Sequence, residues 1–302
     1  MNNGINIVFI TDTNFVIQTH LAIMSLVKYK NKDSFYNIYV IAKDITEEQY
    51  DNFKLLEIED VKITIINGNE YISKVNKLDG QMPMIYWRLK LPEYFCNFNK
   101  ILHLDCDIVV SKDITELYDT NIDNYYIAAV RDIAPTIYHA SKNKIYSNYF
   151  NAGIMLLNLK NIRESNYFNI VLDETTKNGD KYFFKEQDIL NNTIGNKLKI
   201  ISSKFNFIAS NRRYTNTQLK NFYGEIISDK DIAIIHYAGK CRPWIYKWTY
   251  FANIWNDLYK NSHYANTKLK LNPVPFLKLY VYLSSQIKII QKTSLYKRIG
   301  IL

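Results

Sequence analysis

The order of apolar and polar positions predicts strands alternating with helices. Residues 5–11 (INIVFIT) form an unbroken apolar run ending at the polar turn TDTN, the pattern of a strand buried on both faces. Over residues 15–30 the spacing changes to a helical one, with Leu21, Met24, Ser25 and Val27 on or near one face. YNIYVIA (36–42) and VKITIIN (61–67) repeat the strand pattern, and Thr46 followed by Glu47, Glu48 and Gln49 opens a helix between them in capping-box style. A polar connection over 68–83 leads to a helix at about 84–95, and KILHLDCDIVV (100–110) reads as the next strand, interrupted only by Asp105 and Asp107. DNYYIAAVRD (123–132) and FNAGIMLLNL (150–159) read as further strands, with a loop over 133–148. A helix is expected over 161–178 and another from 186, and DIAIIHYAG (231–239) is a late strand ending at a histidine. This alternation implies an α/β fold around a mainly parallel sheet.

The only change of composition lies near the end of the chain. Asp257 is the last acidic residue, and residues 258–302 carry eight of the nine net positive charges, so residues 1–257 are close to neutral. Within that tail Phe276, Leu279, Leu283, Ile287 and Ile290 step by three and four residues, while Lys278, Lys288 and Lys292 lie largely away from them. A helix over 276–292 with these two faces suits an anionic membrane surface, although a helix pair packed on the main domain has the same pattern. A net positive charge concentrated in a tail argues against nucleic-acid binding by the folded part. Three cysteines make no disulfide framework and point to reduced thiols. Residues 1–11 lack a basic segment and a cleavage site, so they read as a core strand rather than a signal peptide, and no run reaches the roughly 20 apolar residues that span a bilayer.

Chemistry concentrates at strand ends. Asp105 and Asp107 follow an apolar strand, and in strand geometry they share one face. Two buried carboxylates so close together need a compensating cation, and hard oxygen donors suit Mn²⁺ or Mg²⁺. His236 follows the apolar IAII at a predicted strand end, and imidazole is a better ligand for transition metals such as Mn²⁺ than for Mg²⁺. Gly239 allows close backbone approach, and Lys240 and Arg242 beside it are phosphate-binding residue types. Cys106, between the two acids, reads as a small core residue, and His20, His103, His139 and His263 show no partner pattern.

TDTN, YWRLKLPEY, LHLDCDIVV, FNAGIMLLNL, EQDILN and HYAGKCRPW occur in this order. Together they resemble glycosyltransferase family 8, the retaining group that includes bacterial lipopolysaccharide galactosyl- and glucosyltransferases, over about residues 5–256. The resemblance implies a Rossmann-like GT-A domain over 1–257, binding a UDP-sugar and Mn²⁺, followed by the basic tail 258–302. It implies contacts to the donor from Thr11, Asp12, Asn14, Arg88, Asp105, Asn151, Gly239 and Arg242. Asp105, Asp107 and His236 would be the metal ligands, and Gln187, Glu186 and Asn151 would face the reacting carbon. Trp244, the connection at 68–83 and the segment 237–248 would face the acceptor.

Two positions depart from the family pattern. Glu186 stands where Asp is usual, which bears on the choice of hexose, and Arg242 replaces the usual Lys. The activity implied is transfer of galactose or glucose to a surface glycan such as lipopolysaccharide or lipooligosaccharide, by a cytoplasmic protein held on the inner face of the cell membrane. A non-catalytic nucleotide-sugar or glycan-binding protein on the same fold is the alternative.

Overall fold

A computed structural model describes residues 4–75, 83–267 and 269. The strands are β1 (Ile5–Asp12), β2 (Tyr36–Lys43), β3 (Val61–Asn67), β4 (Lys100–Leu104), β5 (Ile108–Val110), β6 (Ile127–Ala129), β7 (Ile154–Asn158), β8 (Leu198–Ile200), β9 (Phe207–Ile208) and β10 (Ile234–His236). Seven of them form the main sheet in the order β3-β2-β1-β4-β7-β6-β8, while β5, β10 and β9 form a second, smaller sheet. β3, β2, β1 and β4 run parallel; β7 is antiparallel to both β4 and β6. The expected mixed α/β architecture with a mainly parallel sheet is therefore present.

β1 is apolar throughout because both of its faces are covered. Ile5, Ile7 and Phe9 pack with Ala22, Ile23 and Leu26 of helix α1 (Val16–Tyr29) on one face. Val8 packs on the other with Ile41, Trp87 and Met155. Alternate side chains of one strand thus feed two cores. Helix α2 (Glu47–Lys54) starts at the expected capping box, with Thr46 accepting from the Gln49 amide and the Gln49 side chain accepting from the Thr46 amide.

Several elements differ from the sequence expectation. KILHLDCDIVV is two strands rather than one: β4 ends at Leu104 in the main sheet and β5 begins at Ile108 in the small one. The pattern runs on because both pieces are buried. The segment expected as a loop after residue 132 contains a helix, α3 (Ile133–Ser141), whose first turn is capped by the Asp132 carboxylate accepting from the Ala134 amide. The helix expected over 161–178 is broken at Asn166, which has φ 56°, and the one expected over 84–95 is a 3₁₀ turn (Met84–Lys90) followed by a short helix (Leu91–Tyr94). Gly68–Ser73 is a short helix at the start of the expected polar connection. The amphipathic helix expected at 276–292 lies outside the described residues.

The 257/258 division falls inside the helix α4 (Ala252–Lys260). Trp255 and Leu258 of that helix are buried together, and Tyr264 beyond it packs against His20 of α1 at a ring separation of 5.0 Å.

Candidate active site

The turn Asp105–Asp107 is where the chain crosses from one sheet to the other. Asp105 is tied to the main sheet, its amide donating to the Gly153 carbonyl (2.7 Å) just before β7. Asp107 is tied to the small sheet, its carbonyl accepting from the Tyr237 amide (2.8 Å). Antiparallel pairing of β5 with β10 sets His236 opposite Ile108, and its Nε2 lies 3.1 Å from Asp107 Oδ1 and 4.0 Å from Asp105 Oδ2. One donor atom from each of Asp105, Asp107 and His236 lies within 4.8 Å of the others, so the three residues named from sequence do converge. The two acids reach this point from a turn rather than from one strand face, and His236 from the end of β10.

Gly153 makes the space. A Cβ there would sit 2.4 Å from His236 Cε1 and 2.7 Å from Asp105 Oδ2, so no other residue fits without displacing those groups. The orientation of His236 is set by a relay of amides. The Gly153 amide donates to Asn151 Oδ1 (2.9 Å), and Asn151 Nδ2 donates to Asp132 Oδ2 (2.8 Å). Asn206 must then present its Nδ2 to Asn151 Oδ1 (2.9 Å) and its Oδ1 to His236 Nδ1 (2.9 Å). Nδ1 therefore carries the hydrogen, and Nε2 faces the two carboxylates, the position that a proton or a cation would share with them. Two carboxylates and a correctly oriented imidazole around an open position fit a divalent cation such as Mn²⁺ or Mg²⁺.

The electrostatics favour positive charge at this point. Burial alone would lower the His236 pKa, but the charges of Asp107 and Asp105 outweigh it and raise it. Burial would raise Asp107, and His236 and Arg242 outweigh it in the other direction. Asp105 is raised by burial despite the Arg88 guanidinium that donates to its Oδ1 at 2.9 Å. Arg88 is itself held by donating to the Ile85 and Ala152 carbonyls, and its Nη1 lies 4.0 Å from Glu186. Burial pushes Glu186 up to about 7, with Arg88 opposing, and its Oε2 has no hydrogen-bond partner among the described residues.

Arg88, Asp105, Asp107, Glu186 and His236 line a cleft of about 510 Å³ together with Asp132, Asn151, Gln187, Gly239 and Lys240. Gln187 is fixed at its mouthward end by the Ala152 amide, which donates to Oε1 (3.0 Å). Asp188 is not available to a ligand: it accepts from the Tyr149 hydroxyl (2.6 Å) and the Phe184 amide (2.9 Å) and meets His139 Nε2 at 2.6 Å. His139 thus has a partner, one 49 residues away that spacing does not reveal. Cys106 is a core residue as expected, its thiol donating to the Ile10 carbonyl (3.1 Å) and pushed up to about 12 by burial.

The residues assigned to the uridine stand at the end of β1, outside the lining of this cleft. Thr11 is buried, and its hydroxyl accepts from Thr19 (2.8 Å). Asp12 caps the next turn by accepting from the amides of Asn14 (2.9 Å) and Phe15 (3.2 Å). Phe15 lies beneath the Arg242 guanidinium at 5.2 Å, and Arg242 approaches Asp107 at 3.8 Å, so this turn borders the site. Trp244 does not line the cleft: it is buried against Trp255 (5.5 Å) and Tyr237 (6.4 Å) and serves the core. Of the acceptor-facing segments expected, 238–241 line the cleft, none of the described residues of 68–83 does, and 76–82 lie outside the described residues. Sequence reasoning missed Asp132 and Asn206. Asp132 had the same signal as Asp105, an acid closing an apolar strand; Asn206 had none.

A family model described as Glycosyl transferase family 8 matches residues 6–248. A Haemophilus influenzae protein named as a glycosyltransferase is 27% identical over 88% of this chain and 78% of its own length. The lipopolysaccharide 1,2-glucosyltransferase of Escherichia coli is 22% identical over 83% of this chain and 75% of its own length. Among solved structures, the galactosyltransferase LgtC in complex with donor and acceptor sugar analogues superposes with a TM-score of 0.69 at 23% identity, covering 86% of this chain and 96% of that one. The curated relatives also include longer proteins, of one of which this chain spans only 24%.

Proposed function

The chain belongs to glycosyl transferase family 8 and has the GT-A fold, and from that premise we propose that it moves a hexose, galactose or glucose, from a UDP-sugar to a surface glycan such as lipopolysaccharide or lipooligosaccharide, with retention of configuration. The observation that carries this reading is the convergence of Asp105, Asp107 and His236 around the space left by Gly153. Those three residues would hold Mn²⁺ or Mg²⁺, which when bound supplies positive charge to a departing diphosphate.

The other roles follow from position. Arg242, 3.8 Å from Asp107, and the backbone at Gly239 stand where a diphosphate would be bound. Arg88 lies between Asp105 and Glu186 and orients both. The Glu186 carboxylate, with an unpartnered oxygen, is the group best placed to accept hydrogen bonds from sugar hydroxyls. Thr11, Asp12 and Asn14 border the site on the side expected for the base. Asn151 is committed to the relay that orients His236, so its role is to position rather than to react. Gln187, held by the Ala152 amide, is neutral and a poor nucleophile, which favours front-side attack by the acceptor hydroxyl over a covalent intermediate. Because Leu258 and Tyr264 pack with the main domain, we extend the catalytic unit past residue 257 to about Thr267 and assign the basic segment beyond it to the inner face of the cell membrane; among the described residues no helix is long and apolar enough to cross a membrane.

The test is hydrolysis of a panel of UDP-sugars without acceptor, with Mn²⁺ and with EDTA. Metal-dependent release of UDP from one sugar is expected, and Asp107→Asn is expected to abolish it while the circular-dichroism spectrum stays the same. Unchanged turnover in that variant would remove the cation from Asp107, and absence of UDP binding by the wild-type protein would remove the whole reading.

A further inference from the structure

The carboxylates that line the cleft are Asp105, Asp107, Asp132 and Glu186, none of them exposed. Arg88, Arg242 and His236 are engaged with Asp105, Asp107 or Glu186 within 4.0 Å. Two further cations, Arg213 and Lys240, also line the cleft, and both are exposed. Neither forms an ion pair among the described residues. Among the described residues Arg213 donates only to the Tyr214 hydroxyl (3.1 Å), over whose ring it lies at 5.0 Å, and no hydrogen bond holds the Lys240 ammonium. The two are brought to one rim from different parts of the chain. Arg213 ends the 3₁₀ turn Ala209–Arg213 that follows β9, and Lys240 follows Gly239, whose φ of 92° turns the chain after β10. Their nearness shows at Cys241, where burial pushes the thiol up and the Arg213 charge opposes it.

We infer that Arg213 and Lys240 form an anionic subsite for the acceptor, so that the sugar receiving the hexose carries a phosphate or carboxylate group. This rests on the glycosyltransferase reading of the same cleft. Neither cation is within 4.0 Å of a cleft carboxylate among the described residues, and a divalent cation with Arg242 would already match the roughly two negative charges of a nucleotide-sugar diphosphate, so these two remain for another anion. Ser210 and Cys241 line the same rim. An unpaired guanidinium and ammonium facing a cleft bind an oxyanion more strongly than a neutral hydroxyl, because charge-assisted hydrogen bonds replace solvated ones.

The test is a titration, followed by NMR, of the full-length protein with saturating UDP and Mn²⁺, using galactose, galactose 6-phosphate and galacturonate as probes. At least one charged sugar is expected to bind at least tenfold more tightly than galactose, and comparison of the two charged arms distinguishes phosphate from carboxylate. Arg213→Gln and Lys240→Gln are expected to reduce that preference at least tenfold more than they reduce UDP affinity. Equal binding of charged and neutral sugars, no measurable binding of either charged sugar, or an equal loss of UDP affinity in the variants would each overturn the subsite. Failure of the wild-type protein to bind UDP at all would overturn the underlying reading, and the subsite with it.

Discussion

In the proposed cation site, the side chain that would orient His236 is one that would not touch the cation. Asn206 accepts the Nδ1 hydrogen because its own amide is committed to Asn151, which is committed in turn to Asp132 and the Gly153 amide. Replacing Asn206 by Leu removes the acceptor at nearly constant size and frees the ring to rotate. The expected result is a loss of roughly 10- to 100-fold in Mn²⁺ affinity, the usual range for an outer partner of a ligating histidine, with little change in folding. Calorimetric titration of Mn²⁺ into both proteins measures it, and equal affinities would show that the relay is decorative. His236 was readable in the sequence as a histidine closing an apolar run, whereas Asn206 was not, because an asparagine after Phe205 looks like any turn residue. Its meaning comes from a contact 30 positions away.

Helix α1 carries a second buried histidine, with a different consequence. His20 is fully buried among Phe53, His263 and Tyr264, and neither ring nitrogen has a hydrogen-bond partner among the described residues. Burial, helped by His263, lowers its pKa from 6.5 to about 4. The unfolded chain therefore takes up this proton as pH drops below about 6.5, while the folded protein resists until about 4. The sign is fixed: the contribution to stability is present above 6.5 and is lost as pH falls through that window, by up to roughly 3 kcal/mol at about 1.36 kcal/mol per unit. His20→Leu is expected to flatten this part of the pH–stability curve in urea unfolding at pH 7 and pH 4.5, and an unchanged slope would place the acid sensitivity elsewhere. At this scale the sequence was legible wherever an element's periodicity reports its own burial. β1, β2, β3 and α2 appear within a residue or two of expectation. It failed where the cause was not local. The strand pattern of 100–110 holds no mark of the change of sheet, because Leu104 and Ile108 are equally buried on either side of it. The helix α3 did carry a local signal: Asp132 as a cap and Pro135 in the first turn, where its missing amide hydrogen costs nothing.

Across the whole molecule, charge and packing divide the chain at different places. The acids stop at Asp257, yet α4 continues to Lys260 and Tyr264 is still buried, so a cut after 257 would remove part of the core. A cut after Thr267 spares that packing and removes seven of the eight tail charges. At ~1 kcal/mol per charge near an anionic surface, such a truncation is expected to reduce co-sedimentation with phosphatidylserine vesicles by at least about 100-fold while UDP-sugar hydrolysis persists. Undiminished sedimentation would assign membrane attachment to the folded part. The family was legible because six short motifs keep their order. Arg213 and the rim it shares with Lys240 were not, because no motif joins them.

The position of the cation ligands at the crossing between two sheets also fixes when the site comes into being. Asp107 and His236 are 129 residues apart, and β5 finds β10 only after nearly the whole intervening chain has been made. During synthesis, a nascent chain that has emerged only as far as β7 has both carboxylates and no third donor, and closing so long a loop is slow compared with forming local helices. Under the proposed function, catalytic competence is therefore a late event in the life of each molecule, and a partly made chain lacks the third donor.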